Sequence, residues 1–504
     1  MKTTIKTFCC LLTAACMAVG LAGCTPRPTG NVAQEQRQPT IYPDYADVTI
    51  PVNIAPLNFL VREPGCDAVQ VTVGIADNPS LASISVHARG NEVCFSLHDW
   101  RETLRQAAGS DLVVTLTARI DGSWKQFKPF RWHVVSDSID PYLTYRLIEP
   151  DYEIFNNLTL QERCLENFDE RSICNYGLVG NRCMNCHAYA GQNPNLSMLY
   201  VRGEGGGAIL NREGQLHKLN LKTDSMASSS VYYGFSPNGR YLVFSTNNII
   251  PAFHSLARKR LEVFDAVSDV YVADLQENRI FTTPLLADSM AFETFPSFSP
   301  DGKRIYFCAA PHVSLPNELK KLQYSLVSIP FDQQTGTIGN HIDTLVNAQR
   351  PIAEKQVSSS KSSVCHPRVS PDGQYILYTV ADYGTFPIWH PEADQQLINL
   401  QTGQKVPMQK VNSPRSDTYH SWSSNSRWFV FASKRDDGLY GKPYFCYIDR
   451  QGRAHKPFCL PQKDPVFYDH CLKSFNAPEL GIGPLPFTAA DVADAMQRDA
   501  EKFK

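Results

Sequence analysis

The sequence has neither an excess of charge of one sign nor a long hydrophobic run after its first thirty residues. Its 504 residues include 48 Lys and Arg against 50 Asp and Glu, which gives a net charge of −2. This balance argues against the basic surface that a nucleic-acid-binding protein presents. No run of about eighteen apolar residues follows the N-terminal region, so the sequence predicts no membrane-spanning helix there.

Several catalytic and metal-binding motifs are also missing. No G-x-S-x-G occurs, which argues against a peptidase of the α/β-hydrolase type. The glycine-rich VRGEGGGAIL at residue 201 lacks the lysine and the strand-to-helix setting of a phosphate-binding loop. The chain has one C-x-x-C and neither a second copy nor an H-x₃-H, so the ligand set of a structural zinc site is incomplete.

The first residues have the pattern of a secretory signal. Lys2 and Lys6 precede an apolar and small-residue stretch, 8–20, that is too short to span a bilayer comfortably. It ends in LAGC, which resembles the lipobox of bacterial lipoproteins. We therefore expect cleavage before Cys24 and acyl chains on that cysteine, which anchor the protein to a membrane.

Eleven of the 15 cysteines lie beyond Cys24, in a chain that the signal directs to an oxidising compartment. Cys66 with Cys94 and Cys164 with Cys174 are candidate pairs. Spacing alone does not fix which cysteines pair.

The most specific motif is NRCMNCHAYA at residue 181, in which Cys183 and Cys186 are followed by His187. In c-type haem attachment two thiols add to the vinyl groups of the porphyrin, and the adjacent histidine ligates the iron. A thioredoxin-type pair would open a helix in a βαβ unit, which this region does not indicate. We predict one haem c, with Cys183 and Cys186 as thioether links and His187 as an axial iron ligand; a disulfide or a metal clip is the alternative.

A repeated pattern covers the C-terminal half of the chain. Four segments align without gaps, each with a turn containing Asp or Asn that leads into an apolar strand: FSPNGRYLVF at 235, FSPDGKRIYF at 298, VSPDGQYILY at 369 and WSSNSRWFVF at 422. A strand-turn-strand unit that recurs every 53 to 71 residues is typical of a β-propeller. The copies resemble the repeats of the TolB-like, WD40-like (PD40) propeller family, and segments near 140–155 and 460–485 are candidates to complete a sixth blade.

The rest of the chain divides by pattern. Short alternating strand candidates predict a small immunoglobulin-like antiparallel sandwich. The segment LTLQERCLENF has helical spacing after a cap at Asn157 or Thr159. The segment FTAADVADAMQ begins with a helix-capping pattern. The predicted fold is therefore mainly β. Its predicted parts are a signal peptide (1–23), a tether (24–43), the sandwich (44–136), a partly helical haem-attachment segment (137–200), the propeller (201–485) and a C-terminal helix (486–504).

Longer stretches narrow the resemblance. Three segments are similar to a family of Bacteroidetes lipoproteins that join a TolB-like propeller to one cytochrome c-type motif. These segments are RLIEPDYEIFNNLTLQERCLENFDE, CMNCHAYAGQNPNLSMLYVRG and YHSWSSNSRWFVFASKRDDGLYGKPYF. The similarity covers most of 140–480 and implies an architecture rather than a reaction. It implies an outer-membrane lipoprotein of the cell envelope, and the non-acidic residues 25–27 favour a periplasm-facing anchor.

The second axial ligand of the iron decides between functions. Met198 is one candidate, with a core methionine as the alternative, and the other candidates are His217, His254, His366 and His420. A filled position predicts a monohaem cytochrome that exchanges electrons with a protein partner docked on the propeller. An open position predicts a haem enzyme of peroxidase or nitrogen-oxide reductase type, and a structural cysteine motif predicts a scaffold without a redox role.

Overall fold

The computed structural model describes residues 26–76, 83–150, 157–256, 259–348 and 363–504, without the side chains of 185–186 and 252–261. Strands dominate these residues, which confirms the mainly β prediction. None of the helices in the described ranges is long and apolar enough to cross a bilayer. Cys24 and the signal segment lie outside the described residues.

The N-terminal part contains two sheets and one helix. A seven-stranded sheet joins β1, β3, β5, β6, β8, β9 and β10, and a three-stranded sheet has the order β2-β4-β7. The elements are β1 (Ala33–Gln34), β2 (Ile41–Tyr42), β3 (Val48–Pro51), β4 (Phe59–Val61), β5 (Cys66–Ile75), β6 (Ser83–Arg89), β7 (Glu92–Val93), α1 (Leu97–Gln106), β8 (Asp111–Ile120), β9 (Ser123–Gln126) and β10 (Phe130–Val135).

Alternation explains why these segments form two packed sheets. Inward-facing apolar residues recur at every second position of β8, while the intervening residues, apart from the buried Thr117, are half-buried. Helix α1 was not predicted from the sequence; Ser96 caps it by accepting a hydrogen bond from the Asp99 amide, and Trp100 anchors it in the core. Pairing within the sheets is mostly antiparallel, but β1 with β9 and β3 with β10 run parallel.

The described residues from 137 onwards form six further sheets. Their orders are β13-β12-β11-β35, β14-β15-β16-β17-β36, β18-β19-β20-β21, β22-β23-β24-β25 with β26 beside β24, β27-β28-β29-β30 and β31-β32-β33-β34. The strands are β11 (Tyr142–Ile148), β12 (Thr159–Cys164), β13 (Glu170–Asn175), β14 (Met184–Ala190), β15 (Asn193–Val201), β16 (Gly207–Arg212), β17 (Gln215–Asn220), β18 (Ser230–Phe235), β19 (Tyr241–Leu256), β20 (Lys259–Asp274), β21 (Arg279–Phe281), β22 (Ala291–Phe298), β23 (Arg304–Pro311), β24 (Ser325–Asp332), β25 (Thr337–Ile338), β26 (Asp343–Val346), β27 (Ser363–Val369), β28 (Tyr375–Ala381), β29 (Asp394–Asn399), β30 (Lys405–Val406), β31 (Asp417–Trp422), β32 (Trp428–Ser433), β33 (Lys442–Tyr447), β34 (Phe458–Cys459), β35 (Ser474–Gly481) and β36 (Glu501–Lys502). The short helices are α2 (Phe467–His470), α3 (Ala489–Met496) and 3-10 turns at Leu319–Lys321 and Pro387–Trp389.

In four of these sheets the repeated turn joins the first strand to the second. The structure explains why the turn uses these residue types. In the second copy, the Ser299 hydroxyl donates to the Asp301 carboxylate at 2.6 Å and accepts from the Arg304 amide at 2.9 Å. Gly302 has φ +70°, which glycine adopts without strain. Equivalent serine bonds occur in the other three copies. The motif therefore closes a tight hairpin between the first and second strands of each sheet.

The six first strands form a closed ring. In ring order, β35, β14, β18, β22, β27 and β31 each contact the next, and β31 contacts β35. Strand β35 comes from the C-terminal region yet pairs with β11, from Tyr142 opposite Gly481 to Ile148 opposite Ser474. The two segments proposed to complete a sixth unit therefore do lie together.

Two local predictions have different outcomes. The segment with helical spacing is not a helix: residues 159–164 form β12, which is hydrogen-bonded on both sides, by β11 and β13. Pairing with two neighbours satisfies its backbone groups and overrides the helical pattern. The C-terminal helix prediction is confirmed in part: Thr488 and Asp491 form the expected capping box, but α3 ends at Met496, and residues 501–502 form a short strand instead of continuing the helix.

The N-terminal sheets pack against the sheet β31–β34 through one hydrophobic cluster, which includes Trp132 and Trp428. Polar contacts reinforce this packing. The Trp428 indole donates to the Asp137 carbonyl at 3.0 Å, and the Ser424 amide donates to the Asp140 carboxylate at 2.7 Å.

Candidate functional site at the centre of the ring

The predicted haem-attachment motif lies on β14, the first strand of its sheet. Pairing with β15 shifts in register between Asn185 and Ala188, so residues 186–187 form a bulge. The motif, which was predicted to lie in a partly helical segment, is therefore on a strand that a bulge interrupts at His187.

The same bulge recurs in all six first strands. Register shifts fall at equivalent places in β18, β22, β27, β31 and β35. In these five strands a bulge residue has positive φ, between 47° and 54°: Tyr232, Phe295, His366, Tyr419 and Ala477. Together with His187 they line one cavity of about 360 Å³ inside the ring, which we call the central cavity.

His187 presents an unused nitrogen in this region. Its Nε2 atom is buried and has no hydrogen-bond partner. Burial, and then the positive charge of Arg146, lower the pKa of His187 to about 4, although the backbone carbonyls of Thr144 and Ala477 oppose the shift. The imidazole is therefore neutral at pH 7, which is the form that ligates a metal.

The cysteines of the motif fit a covalent haem less well than His187 does. Cys183 is half-buried and packs against the hydrophobic cluster that contains Leu158, Met184 and Val201. It does not line the central cavity. The side chain of Cys186 lies outside the described atoms. The imidazole thus fits an iron ligand facing the cavity, whereas thioether attachment at Cys183 requires the start of β14 to rearrange.

The candidates for the second axial ligand of the iron differ in whether they line the central cavity. Met198 is 2% exposed and lies in the core opposite Ala188; the space it shares with His187 is a cavity of about 10 Å³, too small for a macrocycle between them. His217 lies away from the central cavity, where its Nδ1 atom pairs with a carboxylate oxygen of Glu501 at 2.8 Å. The His254 side chain lies outside the described atoms.

His366 and His420 do line the central cavity. Both ring nitrogens of His366 and Nδ1 of His420 are buried without partners, while Nε2 of His420 lies 3.0 Å from the Leu377 carbonyl oxygen. Burial lowers the pKa of His366 well below its usual value and that of His420 to about 3. Among the side chains that the structure describes, no three His, Cys, Asp or Glu residues are grouped closely enough to hold a metal ion.

Charged side chains complete the cavity wall. Four cationic side chains, those of Arg146, Arg202, Arg368 and Lys434, face two carboxyl groups. One of these is Glu479, whose pKa burial raises to about 7. Sequence reasoning missed Arg368 and Glu479, although Arg368 stands two residues after His366 in the same pre-turn segment.

The described cysteine side chains are all free thiols, so neither suggested disulfide is formed in this structure.

Comparisons with known proteins add little to this geometry. No protein-family model matches the chain, and no curated protein matches it. Solved structures that resemble it include Sqt1 from Chaetomium thermophilum, with a TM-score of 0.31 and 10% identity over 85% of this chain and 87% of that one. A DUF4784 family protein from Bacteroides caccae has a TM-score of 0.28 and 7% identity over 75% of this chain and 97% of that one.

A structure from a study of two prolyl endopeptidases has a TM-score of 0.32 and 12% identity, over 64% of this chain. This chain spans 42% of that protein's length. At such low scores and identities, we transfer neither a fold type nor an activity from these proteins.

Proposed function

We propose that this protein is a lipid-anchored monohaem c-type cytochrome of the cell envelope, in which a six-bladed TolB-like propeller presents the haem-bearing strand to a protein redox partner. One observation carries the proposal: the histidine of the C-x-x-C-H motif has a buried, unpartnered and neutral ring nitrogen beside a ligand-sized cavity. A buried polar atom without a partner calls for an explanation, and an iron ligand is one.

The architecture in this proposal follows from the ring of sheets. Six antiparallel sheets whose first strands contact one another in a closed circle are the arrangement expected of propeller blades. The N-terminal sheets, with orders β2-β4-β7 and β6-β5-β8-β10-β3, suit an immunoglobulin-like sandwich that holds the propeller at a distance from an outer-membrane anchor on Cys24, facing the periplasm.

Each residue of the motif has a distinct role in the proposal. His187 supplies a neutral nitrogen to the iron, and Cys183 and Cys186 form the thioether links. Haem c, when bound, exchanges one electron at a time. The chain itself holds the imidazole in a strand bulge and excludes water from its Nε2 atom.

The test is an absorbance spectrum of the full chain, oxidised and reduced, after production in a host that exports proteins and attaches haem c. We expect a low-spin c-type spectrum that cyanide does not change and that His187→Ala abolishes. His217→Ala is the matched control, since it removes an exposed, ion-paired histidine, and should leave the spectrum intact. An unchanged spectrum in His187→Ala would refute the ligand assignment, and a high-spin, cyanide-sensitive one would support a haem enzyme instead.

A second candidate is a ligand-binding or scaffold propeller without haem. The packing of Cys183 into a hydrophobic cluster, away from the central cavity, favours it. Intact-mass measurement decides between the two, because only covalent haem adds the mass of the porphyrin to the mature chain. The bare polypeptide mass in a competent host would leave this second candidate standing.

A further inference from the structure

Arg368 occupies a central position in the ring. It lies on β27 just before the repeated turn and lines the central cavity. Its positive charge acts on His187, His366, His420 and Glu479, which come from four different first strands. A single guanidinium therefore reaches several sides of the cavity wall.

No carboxylate neutralises this guanidinium directly. Among the residues that the structure describes, none forms an ion pair with Arg368 within 4.0 Å. Glu479 is the carboxyl group that senses its charge, and burial raises the pKa of that carboxyl to about 7. Glu479 is therefore only partly ionised at neutral pH, and its Oε1 atom already accepts the Tyr189 amide at 3.1 Å. Positive charge remains in excess in the cavity.

Two histidines next to Arg368 have unused nitrogens. His420 is only 6% exposed, and its buried Nδ1 atom has no partner. Both nitrogens of His366 are also buried and unpartnered, and its ring is held between Phe295, at 3.9 Å between ring centroids, and Tyr419, at 4.8 Å. Burying such atoms costs free energy unless a ligand or water satisfies them.

We propose that the central cavity binds a small molecule through an oxyanion group, carboxylate or phosphate, which pairs with the Arg368 guanidinium and accepts a hydrogen bond from the ring N–H of His366. The neutral His420 ring uses its Nε2–H on the Leu377 carbonyl, so its Nδ1 atom is left to accept a hydrogen bond from another group of the ligand. Arginine presents two parallel N–H donors that match both kinds of oxyanion. A volume of about 360 Å³ suits a small ligand. The site uses neither Cys183 nor Cys186, but His187 lines the same cavity, so a haem bound by His187 would compete with this ligand for the space.

The test is isothermal titration calorimetry of the full chain with three probes: sulfate, inorganic phosphate and succinate. We expect saturable binding of at least one probe. Arg368→Gln should weaken that binding tenfold or more, because it keeps side-chain volume but removes the charge and the paired donors. Arg105→Gln is the matched control, since it removes one charge from an arginine that is 72% exposed on α1, and should change the affinity less than twofold.

Arg368→Lys covers the case in which the glutamine variant does not fold, as judged by its thermal transition. It retains the charge but loses the paired donors, and we expect several-fold weaker binding. No saturable binding of any probe, or equal affinity in wild type and folded Arg368 variants, would overturn the proposal. Repeating the titration with Cys183→Ser/Cys186→Ser separates the two proposals: oxyanion binding should persist there even if a haem is lost or was never attached.

Discussion

At the scale of single residues, Glu293 places a carboxyl group where a carboxylate is unstable. The residue is 3% exposed, and its Oε2 atom is buried without a partner. Burial, together with the negative charges of Asp269 and Asp288, raises its pKa to about 8. The folded protein therefore keeps this proton at neutral pH, whereas the unfolded chain releases it at its ordinary, lower pKa.

This difference gives a signed dependence of stability on pH. A carboxyl pKa that is higher in the folded state stabilises the protein fully below the unfolded value of 4.5, and the contribution is lost as pH rises from there to about 8. We expect Glu293→Gln, which mimics the protonated form, to gain free energy of unfolding relative to wild type between pH 5 and pH 9, by at least the roughly 1.4 kcal/mol of one pKa unit. Chemical denaturation at both pH values measures this.

Glu277→Gln is the control, because Glu277 is exposed, and it should follow wild type at both pH values. If Glu293→Gln lost stability equally at pH 5 and pH 9, the carboxyl would be ionised throughout and the burial argument would fail.

The sequence was informative about some single residues of the site and silent about others. It identified His187 through a motif and included His366 and His420 among the candidate iron ligands. It did not indicate Arg368 or Glu479, because their importance comes from facing one another across the cavity from β27 and β35. Spacing along the chain carries no information about that encounter.

At the scale of elements, a bulge recurs in the first strand of each of the six sheets of the ring. It brings a residue of each sheet towards the central cavity, and in five strands it places a non-glycine residue at positive φ. Left-handed backbone costs a non-glycine residue about 1–2 kcal/mol, which exceeds the cost of glycine flexibility of about 0.5–1 kcal/mol. The bulge therefore stores strain where it lines the cavity.

Alanine-to-glycine changes test this strain. Ala477, at φ 47°, should tolerate glycine with an unchanged or higher free energy of unfolding, by up to about 1 kcal/mol. Ala432 on β32 is fully buried and has no left-handed backbone, so Ala432→Gly should lose about 1 kcal/mol or more. Urea denaturation compares the two variants, and an equal loss in both would contradict the assignment of strain to the bulge.

The helices and strands were predictable where they depend on contacts between residues close in sequence. The repeated turns fixed four hairpins, because a serine, an Asp or Asn and a residue that accepts positive φ close each of them within six residues. Helix α1 was missed because its residues lay between two strand candidates and were interpreted as a polar break. Strand β12 was mistaken for a helix because its neighbours, β11 and β13, are what make it a strand.

At the scale of the whole molecule, closure of the ring depends on strands that lie far apart in sequence. β35 supplies the first strand of the sheet that otherwise contains β11, β12 and β13, and it also touches β14 and β31 on either side. Its Phe475 and Leu480 are at most 1% exposed and belong to the cluster that joins the N-terminal sheets to the ring. Closing such a long loop is entropically costly, so the contacts of β35 must offset that cost.

Truncation tests this role. A chain ending at residue 473 lacks β35 and α3, so we expect it to lose its cooperative thermal transition, because an apolar strand edge and both ring contacts are exposed. A chain ending at residue 499 lacks only the short exposed β36 and the last residues, and should unfold cooperatively with a loss of about 1 kcal/mol or less. Differential scanning calorimetry measures both. A cooperative transition at the wild-type temperature in the shorter chain would mean that the ring is stable while open, and that the contacts between adjacent sheets alone hold the molecule together.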